Sequence, residues 1–184
     1  MSGSTQNDAD AEGDLVLLVG SDEIPIRVTS KVLSLASPVF AAMLGPSFAE
    51  GQALTDKDPR GRTVSLPNDD AEALTWLCQA LHFKKKFSAI VSISLMKKLA
   101  ILSDKYDMSI ALSTWSELWL QKFEGSIEGS DAFPEVLWIS YAFHNHQAFW
   151  RASRELISQY TAEALVMAGA LLTNGILPDR VFGM

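Results

Sequence analysis

The chain has 184 residues, of which 48% are hydrophobic and 20% are charged, and this balance is typical of a globular protein rather than a disordered one. Its 22 acidic residues outnumber its 15 basic ones, and the net charge of −7 argues against nucleic acid as a partner. The single cysteine, Cys78, excludes an internal disulfide framework and a multi-cysteine zinc site, and it favours a reducing intracellular compartment, either cytoplasmic or nuclear.

Residues 1–12 are small, polar and acidic, and we expect them to form a disordered tail because nothing in them would offset the entropy of ordering. They lack the basic start and apolar centre of a signal peptide. The longest apolar stretch runs from Ala164 to Leu172, which is far short of the ~20 residues of a membrane-spanning helix. We therefore expect no membrane partner.

A β-hairpin is predicted from about residue 15 to residue 28. Its first strand is the apolar run Leu-Val-Leu-Leu-Val that begins at Leu15, and Gly20-Ser21-Asp22 supplies a turn. In the second strand, apolar residues at 24, 26 and 28 alternate with Pro25 and Arg27, which indicates one buried face. Because Pro25 cannot donate a ladder hydrogen bond, this strand is expected at an edge of the sheet.

Two short helices are predicted next, from Lys31 to Leu35 and from Pro38 onward. Ser37 has the character of an N-cap, and Pro38 fits the first helical position. Phe40, Met43 and Leu44 then follow at helical spacing. A polar loop is predicted over residues 51–63, and a short strand is predicted at 64–66.

Three amphipathic helices are predicted in the middle of the chain. Asp69 and Glu72 have the spacing of a capping box ahead of the first of them. The third spans roughly residues 109–123. The apolar residues predicted to face the core are Ala71, Leu74, Leu77, Cys78 and Leu81 in the first helix, Leu95, Leu99, Leu102 and Tyr106 in the second, and Leu112, Trp115 and Trp119 in the third.

A boundary is predicted at Gly125 to Asp131, a run of glycine and polar residues. It divides a domain over 13–123 from a helical C-terminal region over 131–184. Within that region Pro134 starts one helix, Phe149 lies on the next, and Thr161 caps a third.

Taken in order, these residues resemble the opening of a BTB/POZ domain, most closely its fungal members. The resemblance is carried by Gly13 to Leu17, by Ile26 to Phe40 with its Val-Leu-Ser and Ser-Pro-Val-Phe motifs, by Met43 to Glu50, and by Val64 to Leu74. It implies an α/β (α+β) fold in which helices pack a small mixed sheet and an all-helical region follows. It also implies a protein–protein interaction module that assembles complexes, with no chemistry and no cofactor of its own.

The resemblance places a protein-binding site on the second short helix and the segment after it. Its residues are Phe40, Met43, Leu44, Phe48 and Glu50. Phe48-Ala49-Glu50 is similar to the hydrophobic-x-Glu motif with which cullin-binding members engage their scaffold. The alternative function is therefore a substrate adaptor of a cullin-type ubiquitin ligase. The plainer interpretation of the motif is that Phe48 packs on Leu44 and Glu50 is solvated.

Two further features follow from the resemblance. In the family, an acidic residue that Asp14 matches pairs with a basic residue in a polar pocket. Lys31 lies one position away from the place where the family has that basic residue. Dimeric members exchange a strand-and-helix extension that precedes the first core strand, whereas here only the acidic residues 1–12 precede Gly13. Self-association is possible, but we expect it to lack that swapped element.

The sequence offers little support for an enzyme, which stays a third and disfavoured hypothesis. His144-Asn145-His146 has no accompanying carboxylate or cysteine cluster, and Cys78 lies on an apolar helix face. No residue is therefore assigned a catalytic, cofactor-binding or metal-binding role. Lys84-Lys85-Lys86, Lys97 and Lys98 are interpreted as solvated lysines at helix ends rather than as a site for an acidic partner. Trp150 is expected to be partly exposed.

Overall fold

The computed structural model describes residues 7–45, 62–84, 91–124 and 133–159. In these ranges the protein is a mixed α/β structure with one three-stranded sheet and seven helices. The predicted α+β class, a small mixed sheet packed with helices, is confirmed. No helix within the described ranges is both long enough and apolar enough to span a bilayer.

The sheet begins with the predicted hairpin, which the structure confirms. Strand β1 (Leu15–Val19) pairs antiparallel with β2 (Ile24–Val28), and Leu17 lies opposite Ile26. Gly20 occupies the turn at a φ of +76°, a conformation that glycine adopts without strain. The third strand, β3 (Arg62–Leu66), runs parallel to β1 and starts two residues before the predicted 64–66, inside the predicted loop.

The strand order is β2-β1-β3, so β2 lies at an edge as Pro25 predicts. Leu15, Leu17 and Val19 of the central strand are buried, while the residues between them are half-buried. This alternation places one face of the sheet against the helices.

Residues 7–13, which we call the N-terminal strap, lie along the outer edge of β2. The N–H groups of Ala9 and Asp10 donate to the carbonyl oxygen of Arg27 at 2.9 and 3.1 Å, and the N–H of Arg27 donates to the Asp8 carboxylate at 3.3 Å. Ala9 is fully buried. Residues 7–12 therefore belong to the folded unit and differ from the disordered tail that their composition predicts.

Two short helices follow the hairpin, and five longer ones make up the rest of the described chain. Their bounds are α1 Ser30–Ala36, α2 Pro38–Met43, α3 Ala71–Leu81, α4 Ile93–Lys105, α5 Ser113–Glu124, α6 Phe133–Ala142 and α7 His146–Gln159. The predicted helix over 109–123 starts at Ser113. Residues 109–112 form turns, and the Ser116 N–H donates the first hydrogen bond of the helix to the carbonyl oxygen of Leu112 at 2.8 Å.

The helices share one apolar core with the sheet. Helix α4 packs on both α3 and α6, and α6 packs along α7. The Trp119 ring of α5 lies 6.2 Å from the Phe143 ring just after α6. The core therefore continues from residues of the predicted 13–123 domain into the C-terminal helices, and the predicted boundary at 125–131 lies outside the described residues.

Most of the predicted core positions are buried as the helical spacing indicates. Those buried in α3, α4 and α5 and in the turns beside them include Leu74, Leu77, Cys78, Leu81, Leu95, Leu99, Leu102, Tyr106, Leu112, Trp115 and Trp119.

Candidate functional site

The helix pair α1–α2 is held against the core by Ser37. The Ser37 hydroxyl accepts the Phe40 N–H at 2.9 Å, which caps α2, and donates to the carbonyl oxygen of Tyr106 at 2.5 Å. The ring of Phe40 stacks on the ring of Tyr106, with centroids 4.4 Å apart. One capping residue and one aromatic contact thus fix α2 to the end of α4.

This arrangement changes the roles of the predicted protein-binding residues. Phe40 is fully buried and Leu44 is 8% exposed, so both are core residues that position α2 rather than residues a partner can reach. Met43 is half-buried beside them. Phe48 and Glu50 lie outside the described residues.

Two exposed apolar residues on the same helix pair were not predicted. Leu35 of α1 is 75% exposed and Val39 of α2 is 37% exposed. Leu33 is buried, and two residues further along a helix the side chain points about 200° away, so Leu35 faces solvent. The two-residue spacing of Leu33 and Leu35 in the sequence was the pattern that could have predicted the exposure of Leu35.

Asp14 caps α1 from the start of the sheet. Its carboxylate accepts the Ser30 N–H at 2.8 Å and the Ser30 hydroxyl at 2.7 Å, and it lies 3.7 Å from the Arg62 guanidinium. Partial burial opposes ionisation, but the hydrogen bonds from Ser30 and the charge of Arg62 keep the pKa of Asp14 below its usual value. The partners found for Asp14 thus differ from the predicted Lys31, which is exposed on α1.

Asp69 lies in the core instead of capping a helix. Its side chain is 2% exposed, accepts the hydroxyl of Tyr106, and forms an ion pair with Lys105. Burial and the hydrogen bond to Asp69 both raise the pKa of Tyr106. The N-cap of α3 is Asp70, which accepts the Ala73 N–H at 2.9 Å, so the predicted cap at Asp69 is wrong by one residue.

His82 links the end of α3 to the turn before α1. Its Nε2 accepts the Thr29 N–H at 3.0 Å, and its Nδ1 lies 2.7 Å from the carbonyl oxygen of Cys78. The Thr29 hydroxyl in turn donates to Asp10 of the N-terminal strap at 2.6 Å, and this hydrogen bond is the main reason that the pKa of Asp10 is lowered. The strap, β2, α1 and α3 therefore meet at Thr29.

Cys78 and Asn145, two of the residues considered for chemistry, have structural roles. Burial raises the pKa of the Cys78 thiol to about 12, which makes a thiolate nucleophile unfavourable. His144 has a positive φ of 54° in the turn after α6, and Asn145 accepts the Ala148 N–H at 3.0 Å at the start of α7. Among the described residues, no group of three or more His, Cys, Asp or Glu side chains is arranged to hold a metal ion.

The lysines of α4 form ion pairs with neighbouring helices. Lys98 lies 2.9 Å from Asp70 and 3.8 Å from Glu72 of α3, and Lys97 lies 3.4 Å from Glu135 of α6. They were predicted to be simply solvated, whereas they tie α4 to its neighbours.

A cleft with a volume of about 440 Å³ lies beside the hairpin turn. Three carboxylates line it, those of Asp22, Asp69 and Asp70. Two of them are already engaged, Asp69 by Tyr106 and Asp70 by Lys98. The cleft therefore offers no free acid–base pair from these two side chains.

Neither a family model nor a curated protein matches the sequence.

Proposed function

We propose that the chain is a protein–protein interaction module of BTB/POZ type that assembles complexes through the outer surface of α1 and α2. The proposal is supported by the element order. A hairpin leads into two short helices, and a third strand leads into a longer helix, which is the order that the sequence resemblance implies.

The observation that carries the proposal is the exposure of Leu35. A leucine that is 75% exposed on a helix costs free energy that burial against a partner would recover, on the order of 1–2 kcal/mol. Val39, on the adjoining helix, adds a second apolar contact.

The helices beneath these side chains are held in place by hydrogen bonds and a ring stack. Asp14 caps α1, and Ser37 together with the Phe40–Tyr106 stack fixes α2. A pre-ordered surface loses less conformational entropy on binding, so a modest apolar contact contributes more to affinity.

Affinity capture with a matched control tests this proposal. Wild type, Leu35→Glu and Ile110→Glu are immobilised, and the proteins that they retain are quantified by mass spectrometry. Ile110 is 89% exposed and lies in the turns before α5, so its variant controls for added surface charge. We expect specific partners to be lost with Leu35→Glu and kept with Ile110→Glu. Identical retention by all three proteins would refute a binding role for α1.

A cullin scaffold is the second candidate, since α2 ends at Met43 and the Phe48-Ala49-Glu50 motif follows it within a few residues. Calorimetry with a purified cullin N-terminal domain tests it directly. We expect binding by the wild type and a loss of about tenfold or more in the Phe48→Ala Glu50→Ala double variant. Absence of binding by the wild type would dismiss the adaptor function and leave the wider proposal standing.

A further inference from the structure

Helix α7 carries apolar residues on two opposite sides. On one side, Ala148 and Ala152 are each 6% exposed and belong to the core. On the other, Trp150 is 60% exposed and Ile157 is 81% exposed. Seven residues separate Trp150 from Ile157, so they lie within about 20° of each other around the helix and about 10 Å apart along it.

Arginine accompanies this exposed stripe. The guanidinium of Arg154 lies over the Trp150 ring, 5.4 Å from its centroid, and Arg154 falls between Trp150 and Ile157 along the helix. A cleft of about 340 Å³ adjoins the stripe and is lined by His146, Gln147, Trp150 and Arg151. The exposed face of α7, defined by Trp150, Arg154 and Ile157, therefore combines apolar surface with positive charge.

Charge complementarity identifies the kind of partner. The chain has a net charge of −7, yet Arg151 and Arg154 of α7 are both exposed. Tryptophan and arginine are the residue types most enriched where binding energy is concentrated in protein interfaces. The contact with the Trp150 ring favours one position of the Arg154 guanidinium, which reduces the conformational entropy that Arg154 loses when a carboxylate binds it.

We propose that the exposed face of α7 binds an acidic amphipathic helix of a partner protein. Apolar side chains of that helix pack on Trp150 and Ile157, and a carboxylate pairs with Arg154. An anionic membrane fits less well, because electrostatic attachment to lipid typically uses clusters of about 4–8 basic residues, whereas α7 has two arginines, Arg151 and Arg154. This face is separate from α1 and α2, so it does not depend on the function proposed above.

Two fluorescein-labelled peptides of 16 residues serve as probes for fluorescence anisotropy. Both carry leucine at the same helical positions, and the remaining positions are glutamate in one peptide and lysine in the other. We expect the glutamate peptide to bind at least about tenfold more tightly than the lysine peptide. Trp150→Ala and Arg154→Glu are each expected to weaken its binding by about tenfold. Arg154→Glu should also reverse the preference towards the lysine peptide.

Ile110→Glu is the control, since it adds a glutamate at an exposed position outside α7 and should leave binding of the glutamate peptide unchanged. Both side chains altered on α7 are exposed, so circular dichroism should show the wild-type fold in each variant. Equal binding of the two peptides would overturn the proposal, as would wild-type affinity in both α7 variants. Binding to phosphatidylserine vesicles without binding to the glutamate peptide would also overturn it.

Discussion

The backbone N–H of Thr29 donates to Nε2 of His82 across 3.0 Å, although 53 residues separate the two in the chain. Because Nε2 is the acceptor, the neutral ring carries its proton on Nδ1, which lies 2.7 Å from the carbonyl oxygen of Cys78. Only an uncharged imidazole makes both hydrogen bonds. The ring thus joins the end of α3 to the turn that leads into α1.

Replacing His82 tests this link. We expect His82→Leu to lower the free energy of unfolding by about 1–3 kcal/mol, because the partly buried Thr29 N–H loses its acceptor. His82→Gln should cost less, since its amide oxygen extends to about the position of Nε2. Urea denaturation measures both values. Equal stability of His82→Leu and wild type would show that the Thr29 hydrogen bond contributes nothing.

The buried Asp69–Tyr106 contact gives a second prediction. Asp69→Ala leaves the Tyr106 hydroxyl without its acceptor, and Tyr106→Phe removes the donor, so the two effects should not add. We expect a coupling energy of about 1–3 kcal/mol in a double-mutant cycle followed by urea denaturation.

The matched control is the cycle between Asp70→Ala and Tyr106→Phe. Asp70 is the neighbouring acidic residue, but it caps α3 and pairs with Lys98. Its coupling to Tyr106 should be below about 0.5 kcal/mol. Similar coupling in the two cycles would contradict a specific role for Asp69.

The burial of Cys78 affects how the free energy of unfolding changes at alkaline pH. Burial raises the thiol pKa in the folded protein to about 12 from 9.0, so above pH 9 the unfolded chain releases the thiol proton first. The stabilisation is complete below pH 9 and is lost as the pH rises towards 12. The free energy of unfolding should fall by up to about 1.4 kcal/mol per pH unit in that window.

Denaturation curves between pH 8 and 10 measure this slope below the ordinary pKa of tyrosine, about 10, where ionisation of tyrosine side chains contributes less. Cys78→Ala should have a shallower slope, whatever its absolute stability. As an independent check, the thiol of the wild type should react slowly with a thiol reagent in buffer and rapidly in urea. A fast reaction in the native protein would contradict the burial of Cys78.

Substitution of Gly13 tests the position of the N-terminal strap. A β-carbon at Gly13 would lie 2.3 Å from the carbonyl oxygen of Val28, which is much closer than atoms can approach. We expect Gly13→Ala to displace the strap and to destabilise the protein by about 1–3 kcal/mol. Hydrogen exchange should then show a loss of protection at Ala9 and Asp10, whose N–H groups donate to Arg27.

Gly45→Ala is the control for this substitution. Its added β-carbon would lie 3.1 Å from the Ala41 carbonyl oxygen, a tight contact that a small shift at the end of α2 relieves. It should leave exchange in the strap unchanged. Unaltered protection at Ala9 in Gly13→Ala would show that the strap does not depend on this close approach.

Local patterns predicted the features that neighbouring residues determine. The period-two alternation identified the hairpin, and Ser37-Pro38 identified the start of α2, because an N-cap and the proline after it act within a single turn. The same patterns could not distinguish a core residue from a surface residue in α2. Phe40 is buried by its stack on Tyr106, which is 66 positions away and is not visible in local spacing.

The cap of α3 and the strap were mispredicted for related reasons. Asp69 and Asp70 are adjacent, and the sequence does not show that Tyr106 and Lys105 draw Asp69 into the core. Residues 7–12 contain no large apolar side chain, so their composition is that of a solvated segment. Their order comes from the backbone of Arg27 and from the hydroxyl of Thr29, which are tertiary partners.

The strap also determines how the hairpin behaves towards other molecules. Along the outer flank of β2, Pro25 has no N–H to offer, and both backbone polar groups of Arg27 are already bonded to residues 8–10. An incoming strand therefore finds no free N–H at either position, and blocking an edge in this way is how natural sheets avoid fibrillar growth. Proteolysis or truncation just before Gly13 would remove this cover, and we expect the shortened protein to form aggregates seeded at the hairpin.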